Sequence, residues 1–358
     1  MYTPSQQAFA FAEMVGSEDL VNGTATALEQ ALATKVDNYL LNTGLVALIG
    51  NWSRVWGPCV WQAPQSEVAD NAMMVVHSTD TSTYVVAVAG TNPASTYDIM
   101  IEDLEVDPLT PWTYGGSNDA SIATGTSVGV SILLNDMVDP QTQDSLKDFL
   151  AAADSTSAQL VFTGHSLGGA LAPALALALF NPDGALSGSG WDLASVVVHA
   201  TAGPTAGDQG FVDLFAATFP PVDGFNTLTW NSLDVVPHAW SATTFTTAVL
   251  NGIYGSNLPA SSCIETVMAK LVALLPEPNP YVQLPNNGPF QGTFQPASFS
   301  DPTCAFLAQI IYQHINAYYD YLTPGLTSIL SPTNPLTGLG KFGVELICGQ
   351  IEEKYCGL

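Results

Sequence analysis

The chain is expected to be an α/β protein with a mostly parallel central sheet and helices on both faces. Three features predict this. Short runs of β-branched and apolar residues recur at 72–78, 83–89, 159–164, 193–201 and 226–231. Helical segments lie between most of them, and that alternation is the pattern of crossover-connected parallel strands. The 358 residues are 47% apolar, enough for a large core and against bulk disorder.

From the N-terminus, 4–16 and 24–49 read as helices because Ala, Leu, Gln and Glu dominate them. A loop rich in Trp and Pro, with Cys59, is expected next. The runs 72–78 and 83–89 flank Thr79-Asp80-Thr81-Ser82, a turn composition, and so predict a β-hairpin. A Pro- and Gly-containing stretch follows to about residue 118. Helices are expected at 122–137, 141–153, 208–218 and 262–275. The strand at 159–164 ends in glycine and runs into the apolar helix ALAPALALALF. Residues 239–305 interrupt the alternation with Pro, Asn, Gly and Ser. A helix at 305–322 and a Pro- and Gly-spaced tail close the chain.

Composition narrows the function. Six Lys and Arg against 32 Asp and Glu give a net charge of −26, and Arg54 is the single arginine. Phosphate backbones and anionic membrane surfaces repel such a chain, so no nucleic-acid partner is expected. No apolar run reaches the roughly 18 residues of a membrane span, so no stable membrane insertion is expected. The longest, 170–180, contains Pro173. The five cysteines lack zinc spacing, and no metal or organic cofactor is expected. They can form two disulfides with one thiol left over, Cys348 with Cys356 being the simplest pair. The N-terminus lacks a basic start and a long apolar stretch, so it does not read as a signal peptide.

The sharpest local signal is Gly164-His165-Ser166-Leu167-Gly168-Gly169. It fits G-x-S-x-G, a sharp strand-to-helix turn that exposes a serine hydroxyl, and the flanking strand and helix supply the required context. The alternative is a glycine-rich turn with an incidental serine. A serine nucleophile needs a base, and the base needs an orienting carboxylate. His77 and His199 fall inside strands and read as packing residues. His165 sits within the turn and is poorly placed to reach its neighbour's hydroxyl. His238 and His314 remain, and His314 is favoured because His238 stands only four residues past the best carboxylate. That carboxylate is Asp234, directly after a strand, where side chains face the site edge of a parallel sheet. Asp208 is the second choice.

With these pieces in order, the chain resembles the class 3 lipases, an α/β-hydrolase group. TYVVAVAGT, TGHSLGGALAPALAL, TAGPTAGDQGF and NSLDVVPH are similar to four of its successive segments. The resemblance covers about 72–240 and the helix around 314. It implies Ser166 as nucleophile, Asp234 as orienter and His314 as base. It implies an oxyanion hole from the Thr91 and Leu167 amides. The implied substrate is a carboxylic ester, with acylglycerols at an oil–water interface first, a short-chain or feruloyl-type ester second, and a non-catalytic binding protein third. It also implies a lid over Pro93–Val106. There Tyr97, Ile99, Met100, Ile101 and Leu104 would be the apolar members, and Asp98, Glu102 and Asp103 would face water.

The chain departs from the family pattern in places. Ala89 stands where an arginine is usual, and Ala123-Thr124-Gly125 replaces His-x-Gly. The long stretch between Asp234 and His314 implies a cap-like insertion at 239–305, which a Cys263–Cys304 bridge would staple. The expected organisation is a single domain over 1–358, with an N-terminal helical segment at 1–60 and a C-terminal extension at 323–358. Family habit, the uncharged polar exterior and the cysteines imply secretion with the leader absent; a cytoplasmic location is the alternative.

Overall fold

The computed structural model describes residues 1–18, 20–95, 98–116, 119–296, 298–333 and 335–357. The strands are β1 (Ser53–Trp61), β2 (Asn71–Ser78), β3 (Thr83–Val88), β4 (Leu109–Pro111), β5 (Ser121–Ala123), β6 (Gln159–His165), β7 (Val196–Thr201), β8 (Gly207–Asp208), β9 (Thr227–Thr229) and β10 (Tyr281–Val282). Before β1 come α1 (Pro4–Val15), α2 (Ala25–Leu41) and α3 (Thr43–Ile49). Between strands lie α4 (Thr124–Asn135), α5 (Leu146–Ala152), α6 (Leu167–Phe180), α7 (Gln209–Thr218), α8 (Thr247–Gly252) and α9 (Ser262–Val272). The chain closes with α10 (Pro302–His314), α11 (Asn316–Leu322), α12 (Thr327–Leu330) and α13 (Gly338–Ile351).

The main sheet has the order β1-β2-β3-β6-β7-β9. β3, β6, β7 and β9 are parallel neighbours, and β1 and β2 extend the sheet antiparallel. This is the mostly parallel sheet that the alternating pattern predicts, in the α/β-hydrolase arrangement that the resemblance implies. Successive residues of one strand serve opposite faces. In β6, Leu160 and Phe162 join the core beneath α4–α7, and Val161 joins the core beneath α1–α3. In β3, Val86 and Val88 take the first face and Val85 and Ala87 the second. Helix α6 is buried along its whole length, which explains why its sequence has no polar face.

Three expected elements need correction, and one sheet was not expected at all. The loop around Cys59 is strand β1. Its register against β2 shifts between Arg54 and Trp56 and again between Trp56 and Cys59. An edge position tolerates such bulges and Pro58, and the Asp139 carboxylate accepts from the Gly57 amide at 2.7 Å. The helix expected at 24–49 is two helices, because Asn42 ends α2 and its side chain caps α3. The helix at 305–322 breaks at Ile315, immediately after His314. A small second sheet, β10-β8-β5-β4, was not anticipated; its strands have only two or three residues each and carry no readable period.

The 239–305 stretch forms a third apolar cluster around Trp240, Phe245, Leu250, Tyr254, Ile264 and Met268, joined by Val106 and Phe306. β10 docks it onto β8, and the Tyr281 hydroxyl donates to the Val106 carbonyl at 2.7 Å. The disulfides pair Cys263 with Cys356 and Cys304 with Cys348, leaving buried Cys59 as the free thiol. Neither the Cys348–Cys356 nor the Cys263–Cys304 pairing holds. The bridges instead tie the C-terminal tail to α9 and α10, a contact that sequence spacing does not encode. No helix among the described residues is long and apolar enough to cross a membrane.

Candidate active site

β6 ends at His165, and the chain turns at once into α6 with Ser166 between them. Ser166 adopts φ 59° and ψ −127°. A non-glycine residue takes that conformation only where its surroundings enforce it. The turn is enforced by close packing. A Cβ on Gly164 would lie 2.1 Å from the Gly168 carbonyl oxygen, and one on Gly168 would lie 2.5 Å from that of Val88. Both positions therefore require glycine. The chain leaving β3 passes alongside, since a Cβ on Gly90 would come within 3.2 Å of the Ser166 Cβ.

The structure brings Ser166, His314 and Asp234 together from three distant parts of the chain. Ser166 Oγ lies 2.7 Å from His314 Nε2, and His314 Nδ1 lies 2.9 Å from Asp234 Oδ2. Asp234 is fully buried. Its Oδ2 also accepts from the Tyr318 hydroxyl at 2.8 Å, and its Oδ1 accepts from the Val236 amide at 3.0 Å. With acceptors only on the carboxylate, Nδ1 is the protonated nitrogen, which leaves Nε2 to accept from the serine. Burial opposes charging His314. The Asp234 carboxylate outweighs it, aided by Glu13 and Asp103, and raises the imidazole above its ordinary value.

A set of side chains missed in the sequence holds this arrangement. Asn231 donates from Nδ2 to the Gln313 carbonyl and side-chain oxygens, both at 2.9 Å, and its amide donates to the Tyr318 hydroxyl at 3.0 Å. The loop bearing Asp234 is thereby locked to the helix bearing His314. Tyr318 follows His314 by four residues, so helical spacing was a usable signal. Asn231 had none, because its partner is 82 residues away. His165 Nε2 takes the His314 carbonyl at 2.8 Å.

The rejected candidates have structural roles. His238 is buried edge-on to Trp230, with its pKa lowered by burial. His199 is buried and lowered to about 4. Asp208 caps α7 through the Phe211 amide. His77 stacks on Tyr84.

Thr91 follows Gly90, and its hydroxyl donates to Asp103 Oδ2 at 3.0 Å. Leu167 opens α6, so its amide belongs to the first turn, where helix N–H groups lack intrahelical acceptors. The strap beyond Thr91 contradicts the expected polar face. Asp98 and Glu102 are buried, at 0% and 2% exposure, rather than facing water. Asp98 accepts from the Asn92 amide at 2.8 Å and from the Ser95 hydroxyl at 3.0 Å. Glu102 accepts from Asn71 at 2.8 Å. Burial pushes Asp98 up to about 9, Glu102 to about 8 and Asp103 to about 7. The helix here is one π-turn, Asp98–Asp103. It lies so close to α4 that a Cβ on Gly125 would collide with the Glu102 carbonyl at 2.3 Å. Amphipathic period alone could not show which face would be covered. Tyr97 lies outside the described residues, as do the side chains of Ile99 and Met100.

Residues 85–244 match the family described as Lipase (class 3). Over this segment the chain is similar to the class 3 lipases. The crystal structure of M37 lipase is 26% identical to it, with 96% of this chain and 99% of that one aligned at a TM-score of 0.77. A fungal lipase–inhibitor complex aligns at 17% identity over 66% of this chain and 76% of that one, with a TM-score of 0.45. A lipase from Rhizopus microsporus var. chinensis aligns at 16% over 66% and 70%, with 0.44. No curated protein sequence matches. The lipase is an ester hydrolase on an α/β-hydrolase scaffold, and the match spans β3 through the Asp234 loop.

Proposed function

We propose that the lipase hydrolyses acylglycerol esters through an acyl-enzyme, with Ser166 as nucleophile, His314 as general base and acid, and Asp234 as orienter. The 2.7 Å and 2.9 Å contacts in one Ser-His-Asp line carry this reading. Ser166 Oγ attacks the ester carbonyl as its proton passes to His314 Nε2. Asp234 keeps Nδ1 protonated and stabilises the imidazolium. The Thr91 and Leu167 amides serve as the oxyanion hole, positioned by the β3 turn and the first turn of α6. His314 then protonates the leaving alcohol, and water repeats the sequence to release the fatty acid. Because His314 must be neutral to start, and its neighbours raise its pKa, the acid limb of kcat is expected above pH 6.5.

The same reading treats the chain as one domain, with 239–305 as a cap and the strap 93–106 bordering the acyl pocket. The two disulfides support secretion. The family's lipid substrates support action at an oil–water interface. The first experiment is hydrolysis of p-nitrophenyl esters from acetate to palmitate, with Ser166→Ala alongside. Loss of about 10⁶ in kcat in the variant supports the assignment. Activity that survives the substitution removes it, and an optimum at acetate or butyrate replaces acylglycerols with short-chain esters.

A further inference from the structure

Helix α1 lies outside the matched family segment, yet it reaches the catalytic corner. Glu13, on α1, places Oε1 3.8 Å from His165 Nδ1. His165 Nδ1 also lies 3.2 Å from the Thr201 hydroxyl. Its Nε2 faces the His314 carbonyl at 2.8 Å, so Nε2 must be the protonated nitrogen. The two imidazole rings are 4.9 Å apart. This contact also explains the helix break at Ile315. The Tyr318 amide turns to the Ile315 carbonyl, and the His314 carbonyl leaves the helical ladder for His165.

We propose that Glu13 is a positioning residue of the lipase: it lies at the Nδ1 side of His165, whose ring separates it from His314, and its carboxylate supports the imidazolium that His314 becomes during acyl transfer. The inference rests on the Ser166–His314–Asp234 reading. Glu13 is faced by His165 from β6, by His314 from the end of α10, and by the Tyr319 hydroxyl from α11, with Tyr39 of α2 beyond that hydroxyl. Asp234 and Asp103 also act on His314. No lysine or arginine pairs with Glu13 among the described residues. Burial is the main influence on Glu13, opposed by Tyr319 and His314, and it leaves the carboxyl at about 7. Burial and His314 together hold His165 well below its ordinary value, so His165 is neutral and serves as a fixed donor. Glu13 therefore gains its charge as pH rises through about 7, and only then adds to the field around His314.

The test is the pH dependence of kcat in Glu13→Gln, which keeps the shape and removes the charge. The expected kcat falls about five- to tenfold above about pH 8, approaches parity near pH 5.5, and KM is unchanged. His165→Gln, which retains a side-chain donor, is expected to keep most activity. His165→Leu is expected to lose about tenfold in kcat, comparable to one hydrogen bond of about 1.4 kcal/mol. An equal loss at both pH values, a loss carried by KM, or no loss would overturn the proposal. Ser166→Ala in the same assay separates the two failures. If it abolishes turnover while Glu13→Gln shows no pH-dependent loss, only this inference falls. If it leaves turnover intact, the catalytic reading falls as well.

Discussion

Two groups of carboxyls largely removed from water differ in what faces them. Around His314, Asp234, Glu13 and Asp103 surround an imidazole, and together they raise its pKa. Along the strap, Asp98 and Glu102 bond Ser95, Asn92 and Asn71, and the other charges acting on them are carboxyls, Asp70 and Asp103 among them. Both groups are removed from water. Where a protonatable base is present, the negative field favours charging that base. Burial favours the neutral carboxyl in both groups, to about 7 for Glu13 and Asp103 beside His314 and further, to about 9, for Asp98, where like charges add to burial. An acidic protein with few cations can thus place carboxyls at its centre in either role, and the neighbour decides which.

Asp234→Asn would break the comparison on the His314 side most severely. The shape stays while the tautomer of His314 is no longer enforced. A kcat loss of about 10⁴ is expected in ester hydrolysis. On the strap side, pH itself is the perturbation. Asp98 has a raised pKa in the folded chain, so its docking stability is full below its ordinary 3.8 and falls as pH climbs, until it is gone near 9. Amide hydrogen exchange over 92–106 is expected to accelerate toward alkaline pH, relative to β6 as an internal reference. Asp98→Asn should flatten that dependence, and an unchanged slope would remove Asp98 as its cause.

Tyr318→Phe sharpens the comparison by deleting one donor to Asp234 without changing charge. One neutral-to-carboxylate hydrogen bond of about 1.5–3 kcal/mol is lost, in part recovered by the remaining donors, so a kcat decrease of about tenfold is expected. Thermal stability should drop in the same variant, because the Asn231 amide loses its acceptor. The smallest effect is expected from Asp103→Asn. The amide oxygen still accepts from Thr91, and only the charge acting on His314 is lost. A two- to threefold decrease in kcat is expected, with the acid limb moved to lower pH, as titration of initial rates would show.

Much of the fold was legible because strand and helix periods are local. The β2–β3 hairpin, β6 followed by α6, and β7 each follow from runs of apolar residues with clear punctuation. β1 was not legible, since Pro58 and two register shifts disguise an edge strand. The cut after His314 was hidden for another reason: residues 305–322 are helical in period, and a tertiary contact to His165 breaks them. The strap was misread because amphipathicity predicts that the acidic residues face water, whereas Asp98 and Glu102 are buried and Ile101 and Leu104 are only half-buried.

By itself, the sequence determined the serine turn. Its glycines, strand and apolar helix are contiguous, and the clash that excludes a Cβ at Gly164 comes from Gly168, four residues on. It also narrowed the candidate base and carboxylate to His314 and Asp234 by their order and by the resemblance. Only the tertiary structure decided what surrounds them. Asn231, Tyr318, His165 and Glu13 reach the site across 82 residues or more in the case of Asn231 with Gln313, Tyr318 with Asp234 and His165 with His314. The disulfide partners and the protonation of buried carboxyls were decided the same way. Those properties depend on distance through space and on exclusion of water, and neither is written in the spacing of residues along the chain.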